Sequence, residues 1–278
     1  MIIGIGLIVS LVFCIEWLRS LVLDKTSLPD DLKAVIVSVA EATVATICYI
    51  FLFRFYEQRR IRELSPEKFI GSAVIGSVTG ILLQALFILV ICLAGTFSVV
   101  HVNPVSTLIK PFAFALTAGF VAEIMIIGIV FRILEEQTGT KIALLIFIML
   151  FVILHINVKG ATAITVTATA MQAGFMIPAA YVFSRSLWLP VFLHFGWDFA
   201  EPGIFGAINS SSSLTHGLLT SKIAGNPLLT GGEAGPQESL QALLLCLVLG
   251  IIFLILAKRK NNMINSRWQM IETKMVAE

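Results

Sequence analysis

The chain has 278 residues, of which 58% are hydrophobic and only 13% are charged, and its formal net charge is +2. A soluble domain carries about 25% charged residues, so this composition excludes an ordinary soluble enzyme. The few basic residues form no stripe of the kind that binds nucleic acid, and no nucleic-acid partner is expected. The sequence predicts an integral membrane protein that is surrounded by lipid.

Long apolar runs predict an all-α polytopic membrane protein with about eight transmembrane helices in one bundle. A helix needs roughly 20 mainly apolar residues to cross the hydrocarbon core of a bilayer. Turn-forming or charged segments separate the runs, so each run is expected to be a separate helix. The predicted helices lie at 1–23, 34–54, 69–95, 108–134, 141–156, 162–183, 187–200 and 240–257.

These helices fall into four parts. The first three helices occupy 1–107, and a core with the most deeply placed polar residues occupies 108–200. A connection rich in Gly, Ser and Pro follows at 201–239, and the last helix with a basic tail occupies 240–278. The connection is longer than most loops of compact domains, which indicates either a lid or a flexible segment.

The distribution of basic residues predicts that both termini lie in the cytoplasm. Cytoplasmic loops of membrane proteins are enriched in Lys and Arg. The connection after the second helix carries Arg59, Arg60 and Arg62, and a basic segment at 258–260 follows the eighth helix. In an eight-helix topology, both segments and both termini share one side of the membrane.

Four ionisable residues fall deep inside the apolar runs: Glu123, His155, His194 and Asp198. Hydrocarbon offers such groups few partners, so they are costly unless they meet one another or line a cavity. His194 and Asp198 are four residues apart and therefore share one face of a helix. The pattern predicts a catalytic site in which a desolvated carboxylate activates water as a general base. The alternative is a hydrogen-bond network that only fastens the helices together.

A metal is the less favoured interpretation of the same residues. Two histidines and a carboxylate can bind zinc, and His155 with His194 would then be the ligands. The sequence has no HExxH motif, so a site without metal or cofactor is favoured. Two further carboxylates, Glu16 and Glu41, lie close enough to the ends of their runs to reach polar surroundings, and a structural role is predicted for both.

These residues, in this order, resemble the CPBP family, which comprises CaaX proteases and bacteriocin-processing membrane endopeptidases and is also called Abi. The family pattern is a Glu-Glu-xxx-Arg helix, then a Phe-xxx-His helix, then a His-xxx-Asn/Asp helix. Phe151 to His155 matches the second motif, and His194 to Asp198 matches the third. The resemblance implies an intramembrane endopeptidase of the bacterial plasma membrane that cuts a membrane-associated peptide or protein.

The first motif is altered in this chain. With Gly128 aligned to the family, the two glutamates fall on Ala122 and Glu123, and the arginine falls on Ile127. Adjacent residues of an α-helix point roughly 100° apart. Glu123 can therefore take the place of the missing base at position 122 only if a local bulge turns the helix.

The resemblance also implies a role for each remaining motif residue. His155 would orient the attacking water together with the glutamate, and His194 with Asp198 would stabilise the oxyanion. The substitutions Ala122 and Ile127 favour the alternative function, a catalytically inactive CPBP-like pseudoprotease that acts as a membrane scaffold or as an immunity or envelope partner. A transporter or channel is a third hypothesis, disfavoured because no internal repeat is visible.

Overall fold

The computed structural model of the protein describes residues 2–158, 161–207 and 217–265. Residues 208–216 of the predicted connection and 266–278 of the predicted tail lie outside the described residues. The α-helices are α1 (Ile2–Leu21), α2 (Asp30–Phe51), α3 (Phe69–Leu93), α4 (Ile109–Thr117), α5 (Arg132–Thr138), α6 (Thr140–His155), α7 (Ala163–Met171), α8 (Ile177–Ser184), α9 (Trp188–Phe199), α10 (Pro227–Thr230) and α11 (Leu240–Arg259).

All eight predicted runs are helical, which confirms the predicted class of an all-α polytopic membrane bundle. Six helical stretches in the described part of the chain are long and apolar enough to cross a membrane. They are Ile3–Lys25, Asp30–Tyr56, Pro66–Leu93, Val105–Thr138, Ala163–Ser184 and Leu240–Arg259. Helices α6 and α9 are shorter, so length and composition support six full spans where the sequence predicts about eight.

The fourth of these stretches, Val105–Thr138, is irregular in its middle. Two π-helical segments, Ala118–Ala122 and Ile124–Phe131, connect α4 to α5 and flank Glu123. In a π-helix each backbone N–H donates to the carbonyl oxygen five residues earlier, so the helix carries extra residues per turn. Such segments are frequent at functional sites, and their presence here changes which side chains face the interior.

Helix α9 packs against α3 through glycines that let the two backbones approach closely. A Cβ atom added at Gly80 would lie 2.3 Å from the carbonyl oxygen of Leu193. One added at Gly196 would lie 2.3 Å from the carbonyl oxygen of Ser77. Small residues are favoured at such contacts because van der Waals packing, rather than the hydrophobic effect, holds helices together in lipid. The contact fixes α9 and the ionisable residues that it carries.

A two-stranded antiparallel sheet, formed by β1 (Phe97–Val102) and β2 (Leu219–Ile223), is an addition that the all-α prediction omitted. Strand β1 follows α3, and β2 lies in the predicted connection at 201–239. The pairing contains a bulge between Val99 and His101. Because the two strands are far apart in the sequence, hydropathy alone could not reveal that they pair.

A polar network closes the end of the bundle that contains the Arg59 loop. The Glu63 carboxylate accepts hydrogen bonds from the Arg59 guanidinium and from the Tyr49 hydroxyl, the latter at 2.5 Å. Burial alone would raise the pKa of Glu63, but the hydrogen bonds from Arg59 and Tyr49 outweigh it and hold this pKa below its ordinary value. The Glu63 carbonyl oxygen also accepts from the backbone N–H of Leu187 at 2.8 Å, which ties the loop to the start of α9.

Glu63 makes the stability of the fold depend on pH. Because its folded-state pKa lies below the unfolded-state value, the ionised carboxylate stabilises the fold above the unfolded-state pKa, and this stabilisation is lost as the pH falls toward the folded-state pKa. We expect the thermal unfolding midpoint to fall on acidification below about pH 5, and to fall less steeply in Glu63→Gln. The exposed Glu67, changed to Gln, is the control. Equal pH profiles for Glu63→Gln and the unsubstituted protein would contradict this role.

The glycine contact between α3 and α9 predicts a second stability effect. Gly80→Ala places a methyl group against the α9 backbone, and we expect it to lower the free energy of unfolding by about 1–3 kcal/mol. Gly71→Ala, in the same helix but with open space around its added Cβ, should have little effect. Thermal unfolding in detergent measures both, and equal midpoints for the two variants would show that the close approach is absent.

Candidate functional site

The four ionisable residues predicted to form a site all line one cavity inside the bundle. The cavity has a volume of about 340 Å³, and most of its wall is apolar. A water molecule occupies roughly 30 Å³ in the liquid, so the cavity can hold several. The site residues Glu123, His155, His194 and Asp198 supply polar atoms to a space that is otherwise bounded mainly by side chains such as Phe114, Val166 and Met176.

The irregular fourth stretch places Glu123 in this cavity. Gly119 packs directly on α9, because a Cβ atom there would lie 2.7 Å from the carbonyl oxygen of Val191. Beyond Gly119, Glu123 lines the cavity and is only 4% exposed, whereas the neighbouring Ala122 does not contribute to the lining. π-Helical segments lie on both sides of Glu123, at the place where the sequence required a local bulge for its side chain to face the site.

Glu123, His194 and Asp198 are in direct contact. His194 Nδ1 lies 2.7 Å from Glu123 Oε1, and His194 Nε2 lies 3.3 Å from Asp198 Oδ2. A neutral imidazole has one N–H donor and an imidazolium has two. Both contacts are therefore hydrogen bonds only if the ring is protonated or if one of the two carboxyl groups holds the proton.

The second oxygen of Glu123 has no hydrogen-bond partner in the described part of the chain. Glu123 Oε2 is buried, and it belongs to a side chain that lines the cavity. A buried carboxylate oxygen without a partner is costly, and a water molecule in the cavity is the natural donor to it. The geometry thus provides a place where a carboxylate can hold and deprotonate water.

His155 lies in the wall of the same cavity, but its ring contacts Phe151 rather than Glu123 or Asp198. Its Nδ1 is 2.9 Å from the carbonyl oxygen of Phe151, and its ring stacks on the Phe151 ring with 5.8 Å between centroids. The hydrogen bond of Glu123 goes to His194. The structure therefore joins three of the four predicted residues directly and adds His155 through the shared cavity.

A second polar group beside the cavity was missed by the sequence analysis. It centres on Gln237, whose side-chain oxygen accepts a hydrogen bond from Trp197 Nε1 at 2.9 Å. The Gln237 N–H donates to Glu201 Oε1 at 3.2 Å, and its carbonyl oxygen accepts from Gln172 Nε2. Gln172 is an amide within an apolar run, which was a usable signal, because such residues bond across helices in membranes. No sequence pattern linked it to Gln237.

Metal ligation by His155 and His194 remains the less favoured interpretation. Within the described residues, no group of three or more His, Cys, Asp and Glu side chains has the arrangement of a metal site. Both ring nitrogens of His194 already face carboxylate oxygens, at Glu123 and at Asp198. These contacts fit a hydrogen-bonded network better than a ligand set that includes His155.

The comparison with protein families agrees with the motifs. Residues 103–200 match the family model described as Type II CAAX prenyl endopeptidase Rce1-like. No curated protein and no solved structure matches the chain. The matched residues include the four that line the cavity, and the match confirms the resemblance predicted from their motifs. Over residues 103–200 the chain is therefore similar to the Rce1-like endopeptidases of the CPBP family.

Proposed function

We propose that the protein is an intramembrane endopeptidase that hydrolyses a peptide bond in a membrane-associated peptide or protein. The observation that carries this proposal is the contact of Glu123 with His194, beside a cavity of about 340 Å³ inside a membrane bundle. The Rce1-like match supports the reaction class. Because the surrounding helices face lipid, a substrate that is itself held in the membrane has the shortest route to the site.

Water is the nucleophile in this proposal, and Glu123 is the general base. Glu123 Oε2 accepts a proton as the water oxygen bonds to the carbonyl carbon of the substrate. The same proton then passes to the amide nitrogen as the C–N bond breaks, which leaves a new carboxyl terminus and a free amine. No group beyond water is consumed.

His155 and His194 have separate parts in this reaction. With its Nδ1–H donated to the Phe151 carbonyl oxygen, a neutral His155 presents the Nε2 lone pair and can accept the second hydrogen of the water. His194 is held between Glu123 and Asp198, and in its protonated form it carries positive charge next to the developing oxyanion. Asp198 orients the ring.

The proposed setting is the plasma membrane of a bacterium, with both termini in the cytoplasm. The excess of basic residues in the Arg59 loop and at 258–260 supports this orientation. Fusions of a reporter enzyme to the C-terminal end and to the β1 segment would test it, because the two are expected on opposite sides of the membrane.

A second candidate function is a pseudoprotease that keeps the cavity and serves as a membrane scaffold or as an immunity or envelope partner. Two specific observations favour it: Ala122 occupies the position of the family base, and Ile127 replaces the arginine. Ile127 is fully buried among apolar side chains, so no guanidinium stands at the position where the family has one. Under this function, His194→Ala would leave the cellular phenotype unchanged.

The proposed chemistry predicts the effect of removing each participating group. Glu123→Gln, His155→Ala and His194→Ala are each expected to lower kcat/KM by about 100- to 10,000-fold, since positioned acid–base groups contribute that much. His101→Ala, on the exposed strand β1, and Glu67→Gln serve as matched controls. Cleavage is measured with purified protein in liposomes and a library of membrane peptides. No cleavage by the unsubstituted protein, or unchanged cleavage in all three variants, would refute the proposal.

The phase of the fourth helical stretch predicts a failed rescue. If Glu123 has replaced the family base, position 122 points away from the cavity, and Ala122→Glu should not restore cleavage to Glu123→Gln. The double variant is compared with Glu123→Gln in the same liposome assay, after equal thermal midpoints show that both are folded. Recovery of a large part of the parental rate would mean that position 122 reaches the site.

A further inference from the structure

We propose that Glu41 is a positioning residue for Glu123, acting through Thr117. Glu41 lies in α2, outside the cavity wall, and Thr117 is the last residue of α4 before the first π-helical segment. By holding Thr117, Glu41 fixes where the irregular stretch begins and hence the direction in which Glu123 points. The consequence for cleavage rests on the proposed endopeptidase function, whereas the consequence for geometry does not.

The contact itself is buried and joins two helices. The Thr117 hydroxyl donates a hydrogen bond to Glu41 Oε2 at 2.7 Å, and Glu41 is only 4% exposed. A threonine in a helix commonly bonds the carbonyl oxygen four residues earlier in its own helix, as Thr46 does with Ala42 at 2.7 Å. Thr117 instead turns its hydroxyl to a neighbouring helix, so this bond ties α4 to α2.

Helix α2 holds the irregular stretch at a second point. The Tyr49 ring packs directly on Gly128, because a Cβ atom added there would lie 2.7 Å from Tyr49 Cε2, and the Gly128 carbonyl oxygen accepts from Arg132 Nε at 3.0 Å. Tyr49 is eight residues, or about 12 Å, further along α2 than Glu41. Two α2 side chains therefore contact the irregular stretch on either side of Glu123. Glu41 accepts a hydrogen bond from Thr117 before it, and Tyr49 packs on Gly128 after it.

The contacts from α2 are important because the direction of the Glu123 side chain depends on the phase of its helix. A change of one residue in the number accommodated before Glu123 would turn its side chain by roughly 100°. Glu123 Oε1 lies 2.7 Å from His194 Nδ1, and a hydrogen bond to this nitrogen is lost beyond about 3.2 Å. Because Glu41 is buried, the prediction that it reaches polar surroundings is wrong. A carboxylate buried inside the membrane is costly to keep, and control of this phase gives Glu41 a role that its place outside the cavity wall otherwise leaves unexplained.

The first measurement reads the geometry without any need for cleavage. The background protein has Ala in place of its four cysteines, Cys14, Cys48, Cys92 and Cys246. Glu123→Cys and His194→Cys are then introduced. A short bifunctional methanethiosulfonate reagent joins the two new cysteines through the cavity. Thr117→Val and Glu41→Leu are expected to lower the yield of this crosslink several-fold. Glu41→Gln keeps an acceptor oxygen and should retain the parental yield. Thr46→Val is the matched control, because its hydroxyl bonds only within α2.

The second measurement uses the native cysteines and the native Glu123 and His194. Thr117→Val and Glu41→Leu should lower kcat by about 100-fold with little change in KM, as expected for a catalytic group that is misplaced by about 1 Å. Glu41→Gln and Thr46→Val should keep kcat near the parental value. Thermal midpoints of Thr117→Val and Thr46→Val are expected to agree, which separates positioning from a general loss of stability.

The outcomes are distinct. If Thr117→Val crosslinks as well as Thr46→Val, or if kcat falls while the crosslink is unchanged, Glu41 does not position Glu123. Equal losses in Glu41→Gln and Glu41→Leu would also overturn the inference, since the acceptor oxygen would then be irrelevant. If the crosslinks behave as expected and the unsubstituted protein cuts no membrane peptide, the positioning role stands and the endopeptidase function fails.

Discussion

The arrangement of the site follows from one constraint: placing carboxylates and imidazoles inside a membrane costs free energy unless these groups find polar partners. Glu123, His194 and Asp198 meet that cost by contacting one another, with His194 between the two acids. Such an arrangement requires α9 to be fixed against the helix that carries Glu123. The close contact at Gly119 provides this, because Gly119 precedes Glu123 in the same helical stretch and lets its backbone approach α9; Gly80 fixes α9 on another side, against α3.

The sequence predicted the helical runs and four residues that line one cavity, but it did not predict the π-helical segments beside Glu123. Hydropathy located all eight helical runs, since each must bury an apolar surface in lipid or in the bundle. The motifs selected Glu123, His155, His194 and Asp198, which line one cavity. The π-helical segments beside Glu123 contact α2 and α9, which are remote in sequence. For the same reason the β1–β2 pairing and the Gln237 contacts could not be predicted.

The geometry of the site shows what surrounds Glu123 and Ile127, the two positions of the altered first motif. Ile127, at the position where the resemblance implies an arginine, is fully buried in the apolar core, and the hydrogen-bond partner of Glu123 is the imidazole of His194. Glu123 also retains one oxygen without a partner in the described part of the chain. Glu123 thus has a carboxylate oxygen beside a cavity that can hold several water molecules, and this feature supports the endopeptidase proposal over a simple loss of function.

In the proposed endopeptidase, Glu123 and His194 act as one catalytic unit. A double-mutant cycle on kcat/KM for cleavage of a membrane peptide tests this most directly. Groups that act as a unit are strongly non-additive in their kinetic effects. We expect Glu123→Gln, His194→Ala and the double variant all to fall to the same residual kcat/KM. A double variant whose loss equals the product of the two single losses would contradict it, because the two residues would then contribute independently.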